Sequence, residues 1–578
     1  MVNNDNELSA NLHKEKREKR AAAFLFLLFA ALLVWRLPYV ARYAGSWDAV
    51  DFALALKRYD IFAMQPHFPG YPVFIVAAKP VYALTQDAVW SLSLVSAVFG
   101  SLSVLCVYAL MRSVGGSVRA SLLAAALYAV HPLISLTHVQ PMSESMGLFS
   151  VLLLLAVSSL SVRAGLRADQ YLHIAVWSCI LYAVAMGVRI SYFPLGAALL
   201  VPLWRLRSTR FGWWKIAGAL TAGALTGLAW IVPVAMTEGG LAPYFMLGQS
   251  FSAGHFNDWG GAMTSATSSL YDYIVRLKQW LWDQLLWAGW TGADAGALDR
   301  ASAEGISAGA ASAASTVTAS AEQSMAPLIL RITSASVMAL LVLTVWGSRV
   351  LAYIRSKPGV SRMAGAVRFV AHVNWAKLML LLTAVVPYTI WMFWGQNPEK
   401  ARHLLPLIPL LLMGAAVAVE SSMRALQARR TLQAAVGAAV GLFLLTSVQQ
   451  SAVLLEASVQ PAPALQLVRY TEQLKLPAAP VVFTWEEERL FHYYAPHLAA
   501  TRVKSYGLFQ QQAREYLAGG RRVLLTSKVL DGFAADERAE LLPHLTSLAD
   551  FQGNPIVNPV YDRLTLYEYN IRREEGNR

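Results

Sequence analysis

The chain has 578 residues, of which 56% are hydrophobic and only 14% charged, with a mean hydropathy of +0.43. A soluble globular protein of this size needs far more polar surface, so that class is excluded. The formal net charge of +13 does not read as a nucleic-acid footprint, because Lys and Arg concentrate in short loops between apolar runs, as in membrane proteins.

Apolar stretches recur from Ala21 to Gln449. As helices they can cross a hydrocarbon core of about 30 Å while satisfying their own backbone hydrogen bonds. Residues 1–20, with Lys14, Lys16, Arg17, Lys19 and Arg20, form a basic N-terminus expected in the cytoplasm. The apolar run from Ala21 reads as a retained span, since no small-residue cleavage site follows it. It exits near Arg36. Residues 44–87 then form an outer loop with interfacial helices, because Pro69, Pro72 and Pro80 argue against a span at 68–85. Further spans are expected near 88–111, 120–135, 145–162, 172–188, 191–204, 216–236, 327–350, 376–394, 403–420 and 432–450, giving about 11 transmembrane helices. Every loop assigned to the inside is basic, and the outer loop from Thr137 to Ser145 has no Lys or Arg. A second outer loop covers 237–326. Its 292–324 stretch is rich in Ala, Ser and Gly and is expected to be flexible. Cys106 and Cys179 lie inside apolar spans and read as small core residues.

From Pro461 the pattern changes. Val481-Val482-Phe483, Arg522–Leu525 and Leu564–Tyr569 read as strands, with helical patterns at Gln510–Leu517 and Ala534–Leu542. Residues 461–578 are therefore expected to form a small extracytoplasmic α/β domain behind the membrane domain of residues 21–450.

Charged side chains at the outer ends of spans are the candidates for chemistry. Asp48 and Asp51 lie three apart at the start of an amphipathic helix, which puts both on one face. They suit a helix cap, or, for Asp48, a general base whose pKa rises with partial desolvation. Glu144 opens a span and Arg189 lies between two short ones, at the same level. They read either as a structural ion pair or as part of an anion site. Lys400, Arg402 and His403 place cations at the mouth of another span, where a lipid phosphate lies. The alternative there is interfacial snorkelling. His67 and His255 are outer histidines, each an ordinary loop residue or a site residue, and His255 sits among polar and aromatic groups suited to a sugar. A divalent cation, Mg2+ or Ca2+, held by Asp48, His255 and Asp258 is an option that no spacing demands.

These residues resemble the GT-C membrane glycosyltransferases, the superfamily of protein O-mannosyltransferases and lipid A aminoarabinose transferases. The carriers are Trp47-Asp48 after the first span, Gln65-Pro66-His67-Phe68-Pro69-Gly70-Tyr71-Pro72 in the first outer loop, Glu144 opening a span, and Arg402-His403-Leu404-Leu405-Pro406 near the end. The resemblance implies a catalytic acid in the first outer loop, at Asp48. It implies an inverting transfer from a polyprenyl-phosphate sugar to an acceptor in the cell envelope, at the plasma membrane. The protein mannosyltransferases carry an adjacent Asp-Glu pair where this chain has Asp48-Ala49, and the Trp-Trp-Asp motif of oligosaccharyltransferases is absent. A lipid or sugar transporter is the alternative; its site belongs nearer the midplane. A third class, an assembly protein acting through its C-terminal domain, leaves Asp48 dispensable.

Overall fold

The computed structural model describes residues 2–259, 269–288, 375–397, 400–474, 480–559 and 561–570. The span expected at 327–350, the basic loop from Arg355 to Arg368 and the 292–324 stretch lie outside these residues, as does much of the 237–326 loop. Six helices among the described residues are long and apolar enough to cross a membrane: Glu15–Tyr39, Ala88–Ser113, Ala168–Val188, Gly212–Thr237, Ile408–Ala425 and Arg430–Gln473. The spans expected at 120–135, 145–162 and 376–394 fall on the shorter apolar helices Val118–Ala129, Glu144–Leu160 and Met379–Gly395. The 191–204 region is not one α-helix. Ile190–Leu199 is a 3-10 segment containing Pro194, and Leu200–Arg207 is a short α-helix behind it; a proline supplies no amide donor to continue a ladder. The protein is thus a multi-pass membrane protein with six helices of full spanning length among the described residues.

Local chemistry sets the helix ends that matter. Ser46 caps the helix Trp47–Lys57, its side chain accepting from the Ala49 amide, with Asp48 in the first turn. Acids in that position are favoured by the helix dipole. Tyr71 adopts the left-handed region (φ 47°, ψ 43°) and is followed by Pro72, which opens the helix Pro72–Thr85. Between these helices the chain turns through cis Gln65–Pro66 and Phe68–Pro69 bonds. Gly70 (φ 96°) has no room for a side chain, because the Tyr59 phenol lies over it and donates to its carbonyl at 2.9 Å. Glu238 ties the same loop to the end of Gly212–Thr237 by accepting from the amides of Ile61 (3.0 Å) and Phe62 (3.3 Å).

One apolar core lies among the spanning helices, where Ala88–Ser113 packs along Glu144–Leu160 and Ala168–Val188 along Gly212–Thr237. A second core joins the first-loop helices to the C-terminal domain. Ala49, Val50 and Phe52 share it with Leu490, Phe491 and Leu524. Phe52, 1% exposed, meets Tyr71 and Phe74 edge-on at 4.9 and 5.5 Å. Burying a Phe side chain contributes roughly 2 kcal/mol, so this ring anchors the loop that carries Asp51 and His67.

The C-terminal sheet has the order β2-β1-β3-β5-β4. β1 (Val481–Thr484) lies between β2 (Ala499–Arg502) and β3 (Val523–Thr526), both parallel to it. β5 (Arg563–Tyr569) runs antiparallel to β3 and to β4 (Leu545–Gln552). β1 and β3 are buried on both faces and read as unbroken apolar runs. The expected strands and helices fall on β1, β3, β5, Tyr506–Ala518 and Ala535–Leu541. β2 and β4 were not expected, because Ala499-Ala500-Thr501-Arg502 is half-exposed with no apolar run and β4 is exposed or half-buried at every position but Phe551.

Candidate active site

Asp48, Glu144, Arg189 and Arg402 come together from four separate segments. Arg402 Nη2 donates to Asp48 Oδ2 at 3.0 Å, and its Nη1 lies 3.8 Å from Glu144 Oε1. Arg189 Nη2 lies 3.1 Å from the same Glu144 oxygen, while its Nη1 donates to Ser143 Oγ at 3.0 Å. Glu144 is 1% exposed, so its carboxylate depends on these two guanidiniums for compensation. The close approach of Arg189 is allowed by Gly147 one helical turn beyond Glu144, whose missing side chain would crowd Arg189. Two donors, Nε of Arg189 and Nε of Arg402, are buried and have no hydrogen-bond partner among the described residues. Asp48 keeps 32% of its side chain exposed. The expectation that desolvation lifts its pKa is corrected. Burial does push it up, but the charges of Arg402, His67 and Lys400 and the Arg402 hydrogen bond outweigh that and hold it below the usual carboxylate range.

Asp51, three residues on, is fully buried. Its Oδ2 lies 3.5 Å from His67 Nδ1 and its Oδ1 3.3 Å from Arg489 Nε, a residue of the C-terminal domain. Burial raises the Asp51 pKa above the ordinary range, against the opposing pull of His67 and Arg489. His67 Nε2 is 2.8 Å from the Tyr71 hydroxyl, and its ring stacks on Phe251 at 5.9 Å.

The three cationic candidates separate. Arg402 is central. Lys400 acts on Asp48 through its charge. The His403 side chain is not the cation expected: burial first, then the neighbouring charges of Arg402, Arg189, Lys400 and His255, hold its pKa well below the ordinary value, so the ring is neutral. His255 bonds the Gly395 carbonyl at 2.6 Å and stacks on Trp391, at the edge of the cluster near His403. Among the described residues no group of three His, Cys, Asp or Glu is placed to hold a metal ion, and the Asp258 side chain lies outside them. Beside the cluster is an open apolar groove of about 600 Å³ between Ile190–Leu199 and the helix Trp375–Gly395, lined by Tyr182, Phe193, Pro194, Trp391 and Trp394. One of its walls begins at the residue after Arg189.

A model of the dolichyl-phosphate-mannose-protein mannosyltransferase family matches residues 66–236, the stretch that contains His67, Tyr71, Glu144 and Arg189. No curated protein matches the chain. Among solved structures, ArnT from Cupriavidus metallidurans bound to undecaprenyl phosphate has the same fold at a TM-score of 0.50 and 12% identity, over 94% of this chain and 98% of that one. The fold that the resemblance implies is the one found. The apo state of the same ArnT gives a TM-score of 0.49 at 12% identity, over 95% and 98% of the two chains. The archaeal oligosaccharyltransferase AglB from Archaeoglobus fulgidus, in complex with an inhibitory peptide and a dolichol-phosphate, gives 0.45 at 13% identity, over 91% and 73%. The family match begins after Asp48 and ends before Arg402 and Arg489, so those three rest on geometry alone.

Sequence reasoning missed Tyr71, Glu238 and Arg489 as neighbours of the site. Tyr71 lay inside the loop stretch that carried the resemblance. Glu238, beside Gly239 and Gly240, resembled an ordinary loop acid. Arg489 follows Glu486, Glu487 and Glu488 and resembled the polar face of a soluble helix.

Proposed function

We propose that this protein is an inverting glycosyltransferase that moves a sugar from a polyprenyl-phosphate carrier to an extracytoplasmic acceptor, with Asp48 as general base. One observation carries the reading: a partly exposed carboxylate, Asp48, shares a guanidinium with a buried Glu144–Arg189 pair, next to an apolar groove suited to an isoprenoid tail. The Arg189 and Arg402 Nε donors, buried and unspent, suit a phosphate, which accepts in-plane from guanidinium. The basic loops on the other side of the spans support an extracytoplasmic site.

In the reaction, Asp48 takes the proton of the acceptor hydroxyl as that oxygen bonds to the anomeric carbon. The bond from that carbon to the phosphate oxygen breaks, and the phosphate leaves with the electron pair. Negative charge builds on the phosphate, where Arg402 and Arg189 stabilise it, and no general acid is needed for so good a leaving group. Arg402 also links donor to base. While it holds Asp48, that carboxylate is a weak base. A phosphate accepting from Arg402 draws the guanidinium away, and the Asp48 pKa rises with the donor in place. The gathering of acids and cations at helix ends, away from the midplane, favours this reading over a transporter.

Purified protein incubated with a panel of polyprenyl-phosphate sugars is expected to release polyprenyl phosphate. Asp48→Asn is expected to insert and fold but to lose on the order of a hundredfold or more in rate. Full activity in Asp48→Asn rules out the assignment.

A further inference from the structure

The second charged cluster, around Asp51, is built from both ends of the chain. We propose that Arg489 of the C-terminal domain is a positioning residue for the membrane-domain site, acting through Asp51 and His67 on Tyr71. The inference rests on the transferase reading only for its consequence on rate; the clamp itself is a structural claim.

Arg489 makes three contacts with the first outer loop. Its Nε lies 3.3 Å from Asp51 Oδ1, its Nη2 donates to the Ala63 carbonyl at 3.0 Å, and its guanidinium lies over the Trp47 ring at 5.0 Å. Three acids directly precede it in sequence, yet among the described residues its ion-pair partner is Asp51. Trp47 and Asp51 bracket Asp48 on one helical turn, so one side chain grips the turn that carries the base. A fully buried carboxylate stays charged only if cations and donors replace its lost water. Arg489 is that cation, and the His67 ring faces the other carboxylate oxygen.

The relay continues inward. Asp51 Oδ2 faces His67 Nδ1 at 3.5 Å, and an Nδ1–H turned toward that carboxylate leaves Nε2 to accept from the Tyr71 hydroxyl at 2.8 Å. Tyr71 is buried and interacts electrostatically with Arg189, Asp48, Glu144 and Arg402. It is held in a left-handed backbone conformation that a bulky residue adopts at a cost, and such strain gathers at functional positions. The phenol therefore has its direction set by residues outside the spans. Without Arg489, Asp51 retains its proton to higher pH, His67 loses its acceptor and the phenol is released.

The test uses the full-length chain in four forms: wild type, Arg489→Ala, Asp51→Asn and the double variant. Arg489→Ala is expected to lower kcat by about tenfold with donor KM within about twofold, as expected when orientation rather than binding is lost. The acid limb of its pH profile moves upward, because of the groups facing Asp51 (Arg489, His67 and Asp48) one stabilising cation is gone. The double variant is expected to be no worse than the worse single one. Arg489→Lys, which keeps the charge and loses the planar fork, falls between, and serves if Arg489→Ala does not insert. Additive losses with an unshifted pH profile overturn the proposal. Thermal unfolding of the same four forms measures the Arg489–Asp51 coupling without any transfer. Coupling in a protein that transfers nothing keeps the clamp and removes the transferase reading; transfer by the wild type without coupling removes the clamp.

Discussion

Two clusters of acid and cation sit three residues apart on one short helix and are built to opposite ends. Asp48 reaches solvent, is held below the normal carboxylate range by Arg402, and shares that guanidinium with Glu144. Asp51 is sealed, pushed above the normal range by burial, and gripped by His67 and Arg489. Identical side chains thus take different parts according to what surrounds them. An exposed acid whose cation has unspent donors can exchange partners with a ligand. A sealed acid with its partners locked in place can only hold geometry.

The sharpest way to break the comparison is to neutralise each acid in turn. Asp48→Asn is expected to lose on the order of a hundredfold or more in kcat with little change in thermal midpoint. Asp51→Asn is expected to lose only about tenfold, with the larger drop in midpoint because a buried charge loses its partner. Steady-state kinetics and thermal unfolding on both variants decide it, and the reverse ranking would exchange their parts. Next, Arg402→Ala is expected to lower kcat/KM by on the order of a hundredfold, with Arg402→Lys recovering part of it, since an ammonium cannot form the bidentate contact.

The pH dependence of stability sharpens the contrast, because the two acids have opposite signs. The folded pKa of Asp51 is raised, so its contribution is fully present below about pH 4, the unfolded value, and is lost as pH rises through the folded value. The folded pKa of Asp48 is lowered, so its contribution is present above the unfolded value and is lost as pH falls through the folded one. Thermal midpoints of wild type should decline through the upper window as Asp51 ionises, and Asp51→Asn should flatten that decline. An unchanged slope would mean that another group titrates there. The smallest effect is expected at the groove. Ala197→Trp should raise KM a few-fold for long polyprenyl donors and leave short-chain donors unaffected, consistent with a loss of roughly 1 kcal/mol of apolar contact.

Much of this was legible in the sequence for a physical reason. Asp48, Glu144, Arg189 and Arg402 are charges at the ends of apolar runs, where a polar group demands explanation, and charge alternation leads one to expect them on one face. The buried strands β1 and β3 announced themselves as apolar runs. The rest was illegible for equally physical reasons. The pairing of Arg489 with Asp51 is a long-range contact that leaves no local trace. The neutrality of His403 comes first from burial and then from cations that meet it only in the fold. The depressed pKa of Asp48 depends on whether a guanidinium arrives at 3.0 Å, which composition cannot say.

The Tyr494 hydroxyl lies 2.8 Å from the amide of Ala44, 450 residues earlier in the chain, and it sits one helical turn beyond Arg489. The ribosome makes the loop with both aspartates some 450 residues before the helix that fastens it. Closure of this loop therefore waits until that later helix has been made. A nascent chain carries both aspartates long before it carries the fastening, and early termination before Arg489 leaves an inserted protein with the loop unfastened.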